Sequence, residues 1–422
     1  MPEKKVEVLV VGAGPAGIAA ACCASEAGRK VVVLDDNPSP GGQIWRRESR
    51  RSSSPQAVYW FDRLRRSRAE VLCGVRVVGG ADCGALLVDH DDGISEIQYD
   101  KLILATGARE RFLPFPGWTL PNVMGAGGLQ AMVKGGLPIE GRSVAIAGSG
   151  PLLLAVASYL KKMGAQIMLV AEQAGSVNLM RFGFHLIGEP AKLREAFELR
   201  WGLGGIRYRT AGWPVAAEGN GKLESVTFSN GRTEWKQRCD YLACGFGLVP
   251  NLEIPLLLGC EIQHGAVKVD GHQQTTVPGI FCAGETTGVG GLDLALAEGQ
   301  IAGYAAAGRP ERVREFSAAR AKGLRFKNAL DRAFTLREEL RTIVKSETLV
   351  CRCEDVSFEK LLQHPSWRAA KLQTRCGMGP CQGRVCGPAV EFLLGWKAES
   401  VRPPILPTSL GRLATVGEPN PS

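Results

Sequence analysis

An apolar run over residues 6–11, interrupted only by Glu7, is followed by a glycine-rich break, an alanine-rich stretch and a second apolar run, 31–34, that ends on Asp35 and Asp36. Short apolar runs bounded by glycine read as strands buried on both faces, and the small-residue stretch between them reads as a helix. The same order recurs over residues 142–172, and a further apolar run within 241–251 closes that second unit. Residues 102–111 read as a strand ending on Thr106 and Gly107, and residues 279–307 as a strand, a glycine loop and a helix of small residues. Strand–helix–strand units in series predict an α/β chain built on parallel sheets. Over residues 311–347 the spacing of Val313, Phe316, Leu330, Phe334 and Leu340 predicts helix with apolar stripes, buried either in the core or against another subunit. After about Val401 proline and serine dominate, no period remains, and the tail reads as disordered.

A chain of 422 residues, 45% apolar and 22% charged, is long enough for two or three domains with their own cores. No run approaches the roughly 18–20 apolar residues of a membrane span. The first residues lead into a strand rather than an apolar leader, so the expected location is the cytoplasm. The formal charge of +9 comes largely from WRRESRR (45–51), RLRRSR (63–68) and residues 309–341. These read as solvated faces, with an acidic partner surface or peripheral contact with anionic membrane headgroups as the alternatives. Aromatic and basic residues do not interleave as in a nucleic-acid site, so no nucleic acid is expected. Thirteen cysteines is an odd count, and Cys22, Cys23, Cys244 and Cys282 lie in apolar runs where free cysteine packs as a small core residue. No disulfide framework is expected.

The first break carries a phosphate-binding pattern. Gly12 permits the tight turn after the strand, Gly14 lets a pyrophosphate approach the backbone, and Gly17 lets helix and strand pack closely. Pro15 and Ala16 open the helix, whose positive end then faces the phosphates. Asp35, eighteen residues beyond Gly17, stands where a carboxylate accepts from ribose hydroxyls, with Asp36 beside it. Placed between two strands, the pattern predicts a bound dinucleotide.

Three segments carry a resemblance that specifies it. PGGQIW (40–45), LILATGARER (102–111) and GIFCAGETTGVGGLDLALAEGQIAGYAAA (279–307) resemble the FAD-binding segments of the two-dinucleotide-domain flavoprotein reductases, the group that includes thioredoxin reductase. The resemblance implies FAD, held by the first loop together with Gly42, Gln43, Thr106, Gly107, Gly284 and Glu285. That last segment usually reads Ala-Gly-Asp. Glu285 is longer by one methylene and still able to accept a ribityl hydroxyl.

In such reductases the inserted second unit houses NAD(P)H. Here Gly148 and Gly150 are present but Leu153 stands at the third glycine, and the register that sets Asp35 after Gly17 sets Ala171 at the equivalent place, with Glu172 one beyond. A leucine there pushes the helix from the strand. The expectation is a unit that binds another adenylate or nothing, with a working NAD(P)H site as the alternative. Neither segment of the FAD domain carries a C-x2-C or C-x4-C, so the flavin has no redox disulfide on its own domain and its electrons leave elsewhere.

The outlet is sought near the end of the chain. LVCRCEDVS (349–357) supplies Cys351 and Cys353 as C-x-C, and RCGMGPCQGRVC (375–386) supplies Cys376, Cys381 and Cys386. Four thiolates from two loops suit a [2Fe-2S] cluster, and glycines with Pro380 expose N–H groups to its sulfurs. Zinc is the rival, although the C-x2-C knuckles it favours are absent. Cys376/Cys381 and Cys381/Cys386 have the same spacing, so the second pair of ligands is open on spacing alone.

CRCEDV followed by TRCGMGPCQGRVC resembles the bacterioferritin-associated-ferredoxin type of [2Fe-2S] domain. With VVGAGPAGIAAA, PGGQIWR, GSGPLLLA and FCAGETTGVGGLDLALAEGQIAG the chain is similar over most of its length to the FAD-containing alpha subunits of heteromeric bacterial amino-acid dehydrogenases, of the D-hydroxyproline dehydrogenase, opine oxidase and hydrogen cyanide synthase type. Related domains keep GMGPCQG and the last cysteine but lack one at the place of Cys376. The resemblance therefore implies Cys351, Cys353, Cys381 and Cys386 as ligands. It further implies as partner an FAD-containing beta subunit that oxidises the substrate, and it admits an FMN between subunits and a small ferredoxin-like subunit. None of the five histidines (His90, His185, His264, His272, His364) has the setting of a general base, and no catalytic residue is assigned.

The expected fold class is α/β: a two-dinucleotide-binding-domain flavoprotein with a small helical C-terminal [2Fe-2S] domain. The expected order is a first FAD-domain segment (1–140), an inserted NAD(P)-type domain (141–249), a second FAD-domain segment (250–310), a basic helical linker (311–347), a cluster domain (348–396) and a tail (397–422).

Overall fold

The computed structural model describes residues 4–46, 54–81, 84–397 and 401–414. The chain divides into two compact units. One is made, as far as it is described, of Met1–Arg109, Val249–Lys327 and Glu399–Ser422, the other of Glu110–Leu248 and Asn328–Ala398.

In the first unit strands Glu70–Cys73, Val31–Asp35, Lys4–Val11, Gly93–Leu104 and Ile280–Cys282 lie side by side in parallel. Ala85–His90 and Arg76–Ala81 extend that sheet antiparallel on the far half of Gly93–Leu104. Strand Val31–Asp35 is buried at every position, as a strand covered on both faces must be. Helix Pro55–Arg66 turns Ala57, Trp60, Phe61 and Leu64 inward at helical spacing, leaving arginines of the basic run outside, where Arg63 pairs with Glu26 at 2.6 Å. The 45–51 run falls mostly outside the described residues. Helix Leu292–Ala306 crosses helix Pro15–Glu26 so closely that a Cβ on Gly299 or Gly303 would stand 2.2 or 2.4 Å from the carbonyl oxygens of Ala16 and Ala20. The small-residue composition of both helices is what permits the contact.

The second unit holds a parallel sheet in the order Arg207–Thr210, Gln166–Glu172, Ser143–Ser149, Tyr241–Phe246, Val123–Gly125. Residues 110–140 belong here, not with the first FAD segment as the boundary near 140 had it, because Val123–Gly125 pairs with Tyr241–Phe246 and Leu129 and Val133 pack against Leu153 and Leu160. The linker is likewise divided. Val313 (4% exposed) packs with Cys23 and Tyr304 in the first unit, and Leu340 (0%) with Trp213 and Phe246 in the second, so core packing accounts for these two.

The cysteine-rich segment lies within the second unit. Strands Leu349–Cys351 and Val356–Ser357 and helices Phe358–Leu362, Trp367–Thr374 and Cys386–Leu394 enclose a core of Val350, Val356, Leu361, Ala370 and Val390. The Trp118 indole N–H donates to the Leu349 carbonyl at 2.6 Å.

Residues 401–414 of the tail depart from its reading as disordered. Ile405 is buried and its N–H donates to the Val78 carbonyl at 2.8 Å, while Arg412 and Thr408 each donate to Asp89 at 2.7 Å. Burial alone would raise the Asp89 carboxyl, but those two partners outweigh it and hold the group below the ordinary carboxylate range. The stability contributed is therefore present above the unfolded-chain pKa and lost as pH falls through the lowered value. Arg412→Ala is expected to cost about 1–2 kcal/mol at neutral pH, the guanidinium being partly solvated. The loss in melting temperature should shrink on acidification, and a difference that stays constant down to acid pH would contradict the pairing.

Candidate flavin, nucleotide and cysteine sites

In the first unit the chain leaves strand Lys4–Val11 through Gly12 at φ +104°, where a Cβ would lie 2.3 Å from the Ala105 carbonyl oxygen, and a Cβ on Gly17 would lie 1.8 Å from the Gly12 oxygen. Helix and strand can meet here only without those side chains. The Asp35 carboxylate accepts from the Ala13 N–H at 2.5 Å and the Asn37 N–H at 2.8 Å, which pins the loop to the second strand. Asp36 is exposed and accepts from the Asn37 amide at 3.0 Å. The PGG turn is drawn onto the same loop by Gly41 N–H donating to the Ala13 carbonyl at 2.8 Å, and a Cβ on Gly42 would come 2.9 Å from Gly14 Cα. Gln43 is exposed beside it. Thr106 and Gly107 are held by Asn251, whose amide donates to the Thr106 carbonyl at 2.8 Å and whose N–H donates to that of Gly107 at 2.9 Å.

These residues fit FAD. Gly14 faces open space, the nearest neighbour to a Cβ placed on it being Gly42 Cα at 3.9 Å, and it begins a helix whose first N–H groups have no partner within the helix. The Glu285 carboxylate accepts no hydrogen bond from the described residues, and burial pushes it up. An acid short of donors is what a ribityl hydroxyl would satisfy. Sequence reasoning missed Glu298, which is 2% exposed and accepts from the Gly284 N–H at 3.0 Å and the Thr287 hydroxyl at 2.7 Å, holding the Gly284–Glu285 turn. Its signal was a charged residue in the middle of a helix built mostly of small and apolar ones. It missed Asn251 as well.

The second unit repeats the first turn and then diverges. Gly148, at φ +133°, takes the place of Gly12, a Cβ there falling 1.7 Å from the Gly245 oxygen. Ala171 is not the counterpart of Asp35. Strand Gln166–Glu172 bulges between Ile167 and Leu169, so the register moves by one residue and Glu172 pairs with Gly148. Glu172 is fully buried, accepts from the Gly150 N–H at 2.8 Å and the Ala174 N–H at 2.7 Å, and is pushed up by burial to about 7. Leu153 anchors helix Leu152–Lys162 in the core with Val156, Ala157 and Leu160, and the helix opens on a Leu153 N–H to Gly150 bond of 3.1 Å, a tighter turn than the Ile18 to Gly14 bond that opens the first. The carboxyl ends of the strands, where nucleotides bind in such sheets, are occupied by the linker: Ser149 donates to the Phe334 carbonyl at 3.3 Å and Gln173 to that of Thr335 at 3.3 Å.

Of the C-terminal cysteines, Cys351, Cys376 and Cys386 are buried with their sulfurs within 4.8 Å of one another. Cys353, exposed, and Cys381, half-buried, contact each other instead. Gly379 passes so near the C-x-C loop that a Cβ would fall 2.4 Å from that of Cys353. Three thiols in one apolar pocket cannot all ionise. Cys351 is held down to about 2, first by the Cys376 thiol and then by that of Cys386, with the Gly377 and Glu354 N–H groups adding to both against burial. Cys376 is pushed up to about 12, and Cys386 is pushed up as well, in each case first by Cys351. This donor set fits a thiolate-binding metal or cluster, whose positive charge would replace the shared protons. Sequence reasoning set Cys376 aside; the fold brings it into contact with two of the assigned ligands. By contrast Cys22 and Cys23 are core thiols pushed up to about 12 by burial, and Cys244 and Cys282 are pushed up further by the same cause. Among the described residues no helix is long and apolar enough to cross a membrane.

Hydrogen cyanide synthase subunit HcnB of Pseudomonas aeruginosa is 31% identical, with 90% of each chain covered. The A subunit of opine oxidase from Rhizobium meliloti is 31% identical, with 98% of this chain and 99% of that one covered. The crystal structure of L-proline dehydrogenase from P. horikoshii shares the fold at a TM-score of 0.67 and 21% identity, covering 97% of this chain and 80% of that one. The family model described as pyridine nucleotide-disulphide oxidoreductase matches residues 6–318. With this family match over most of its length and these relatives, the chain belongs to the pyridine nucleotide-disulphide oxidoreductase family and is a flavin-dependent oxidoreductase.

Proposed function

We propose that this chain is the FAD and [2Fe-2S] electron-transfer subunit of a heteromeric dehydrogenase, in which an FAD-containing partner oxidises an amino acid, imino acid or opine. The observation that carries the reading is the coexistence of an FAD cradle lacking a redox disulfide with five clustered cysteines in the C-terminal segment. FAD, when bound, accepts an electron pair and releases electrons singly, which suits a one-electron centre such as [2Fe-2S]. The chain's own work is then to hold and shield. The loop from Gly12 to Gly17 presents N–H groups to the pyrophosphate, Asp35 accepts from the ribose, Glu285 accepts from the ribityl chain, and Cys351, Cys353, Cys381 and Cys386 supply the cluster ligands. The relatives that support this are both named as subunits. An FMN at an interface and a small ferredoxin-like subunit are compatible additions. The test is to purify the chain with the proteins that accompany it and screen amino acids, imino acids and opines for dye reduction. Reduction should need both this chain and a partner. Substrate oxidation by the isolated chain would overturn the assignment.

One observation favours a second reading, an NAD(P)H-dependent reductase: Glu172 takes the ribose-binding place once the bulge is counted. Against it stand Leu153 at the helix start and the linker across the strand ends. NADH and NADPH are expected to bleach the flavin of the isolated chain very slowly or not at all under anaerobic stopped flow. Bleaching within the instrument's dead time by either would favour the reductase.

A further inference from the structure

A [2Fe-2S] cluster takes four protein ligands, two on each iron. The C-terminal segment offers five thiols, and their contacts sort them unequally: Cys353 with Cys381, and Cys351 with both Cys376 and Cys386. The C-x-C loop sends one sulfur to each group, so the buried group holds one more than an iron can bind. Which is surplus follows from the helices. Cys386 is the first residue of helix Cys386–Leu394, where the positive end of the dipole favours a thiolate ligand. Cys376 follows Arg375, the left-handed C-cap of helix Trp367–Thr374, and so stands at a negative end, a poor place for a further thiolate.

We propose that Cys376 is not a ligand but a positioning residue, whose S–H donates to the ligand sulfur of Cys351 and raises the reduction potential of the cluster. This rests on the [2Fe-2S] reading of the site. Reduction adds one electron to the cluster and moves no proton. A donor aimed at a ligand sulfur draws charge from it and so favours the more negative, reduced form. The Cys376 side chain is fully buried, where such a bond is stronger than in water.

The experiment compares the full-length wild type with Cys376→Ala and Cys376→Ser after anaerobic purification, measuring iron, acid-labile sulfide and the midpoint potential by EPR-monitored titration. Both variants are expected to keep the wild-type iron and sulfide content. The midpoint of Cys376→Ala should move to more negative potential, and Cys376→Ser, which retains a donor, should lie nearer the wild type. An unchanged midpoint in Cys376→Ala overturns the inference while leaving the cluster reading intact. Loss of iron in both variants, with retention in Cys386→Ala, overturns it by making Cys376 the ligand. A wild type with no iron removes the cluster reading itself.

Discussion

Gly14→Val is expected to give folded protein that is colourless in the flavin band. The reason lies in what surrounds the position. At Gly12 or Gly17 a side chain would strike the chain's own backbone, so a colourless variant there could be merely misfolded. Gly14 is different: its φ is −75°, ordinary for any residue, and only Gly42 Cα, at 3.9 Å, lies near its Cβ position. A branched side chain there meets little protein but fills the approach of the pyrophosphate to the helix N-terminus. The expected loss of FAD affinity is at least a hundredfold, about 2.7 kcal/mol, with the far-UV circular dichroism of the wild type retained. Stoichiometric FAD in the purified variant would overturn the assignment of this loop.

Serine at any one of Cys351, Cys353, Cys381 or Cys386 should abolish or strongly perturb the low-temperature EPR signal of the reduced cluster, because one iron would lose one of its two thiolates. The four sites differ in how cleanly they test this. Cys351 and Cys386 are about 1% exposed in the core of the C-terminal segment, so a hydroxyl there also costs about 1–3 kcal/mol of stability. Cys353 is exposed and Cys381 half-buried, so substitution there leaves the packing of that core unchanged. Loss of iron and sulfide from Cys353→Ser and Cys381→Ser at unchanged melting temperature of the metal-free protein is therefore the decisive result. Wild type that carries zinc and no iron would leave the flavin without its outlet and move the reading toward a subunit whose bound nucleotides only support its fold.

Most of the flavin unit was legible in the chain, because its signals are local. Closely spaced glycines, an acid at the end of the next strand and small residues in both helices each report a constraint that acts within a few residues or at a close backbone crossing. The second unit shows where such reading stops. Counting from Leu153 pointed to Ala171, since a count along the chain assumes regular strands; the bulge near Met168 carries no local residue signal, and Glu172 reaches the loop only because of it. The tail read as disordered because proline and serine hide the period, yet Ile405 and Arg412 find Val78 and Asp89 more than 300 residues away in sequence.

The cysteines divide in the same way. Composition and spacing by themselves determined that thiol chemistry gathers at residues 351–386, since five cysteines on two short loops leave little else for them to do together. Which sulfurs meet was decided by the tertiary structure alone. Cys376/Cys381 and Cys381/Cys386 have one spacing, and only the packing of helices Trp367–Thr374 and Cys386–Leu394 around Cys351 puts Cys376 and Cys386 in one buried pocket and Cys381 outside it with Cys353. Sequence separation fixes how far apart two side chains can be. Where they point is set by the long-range contacts of the elements that carry them.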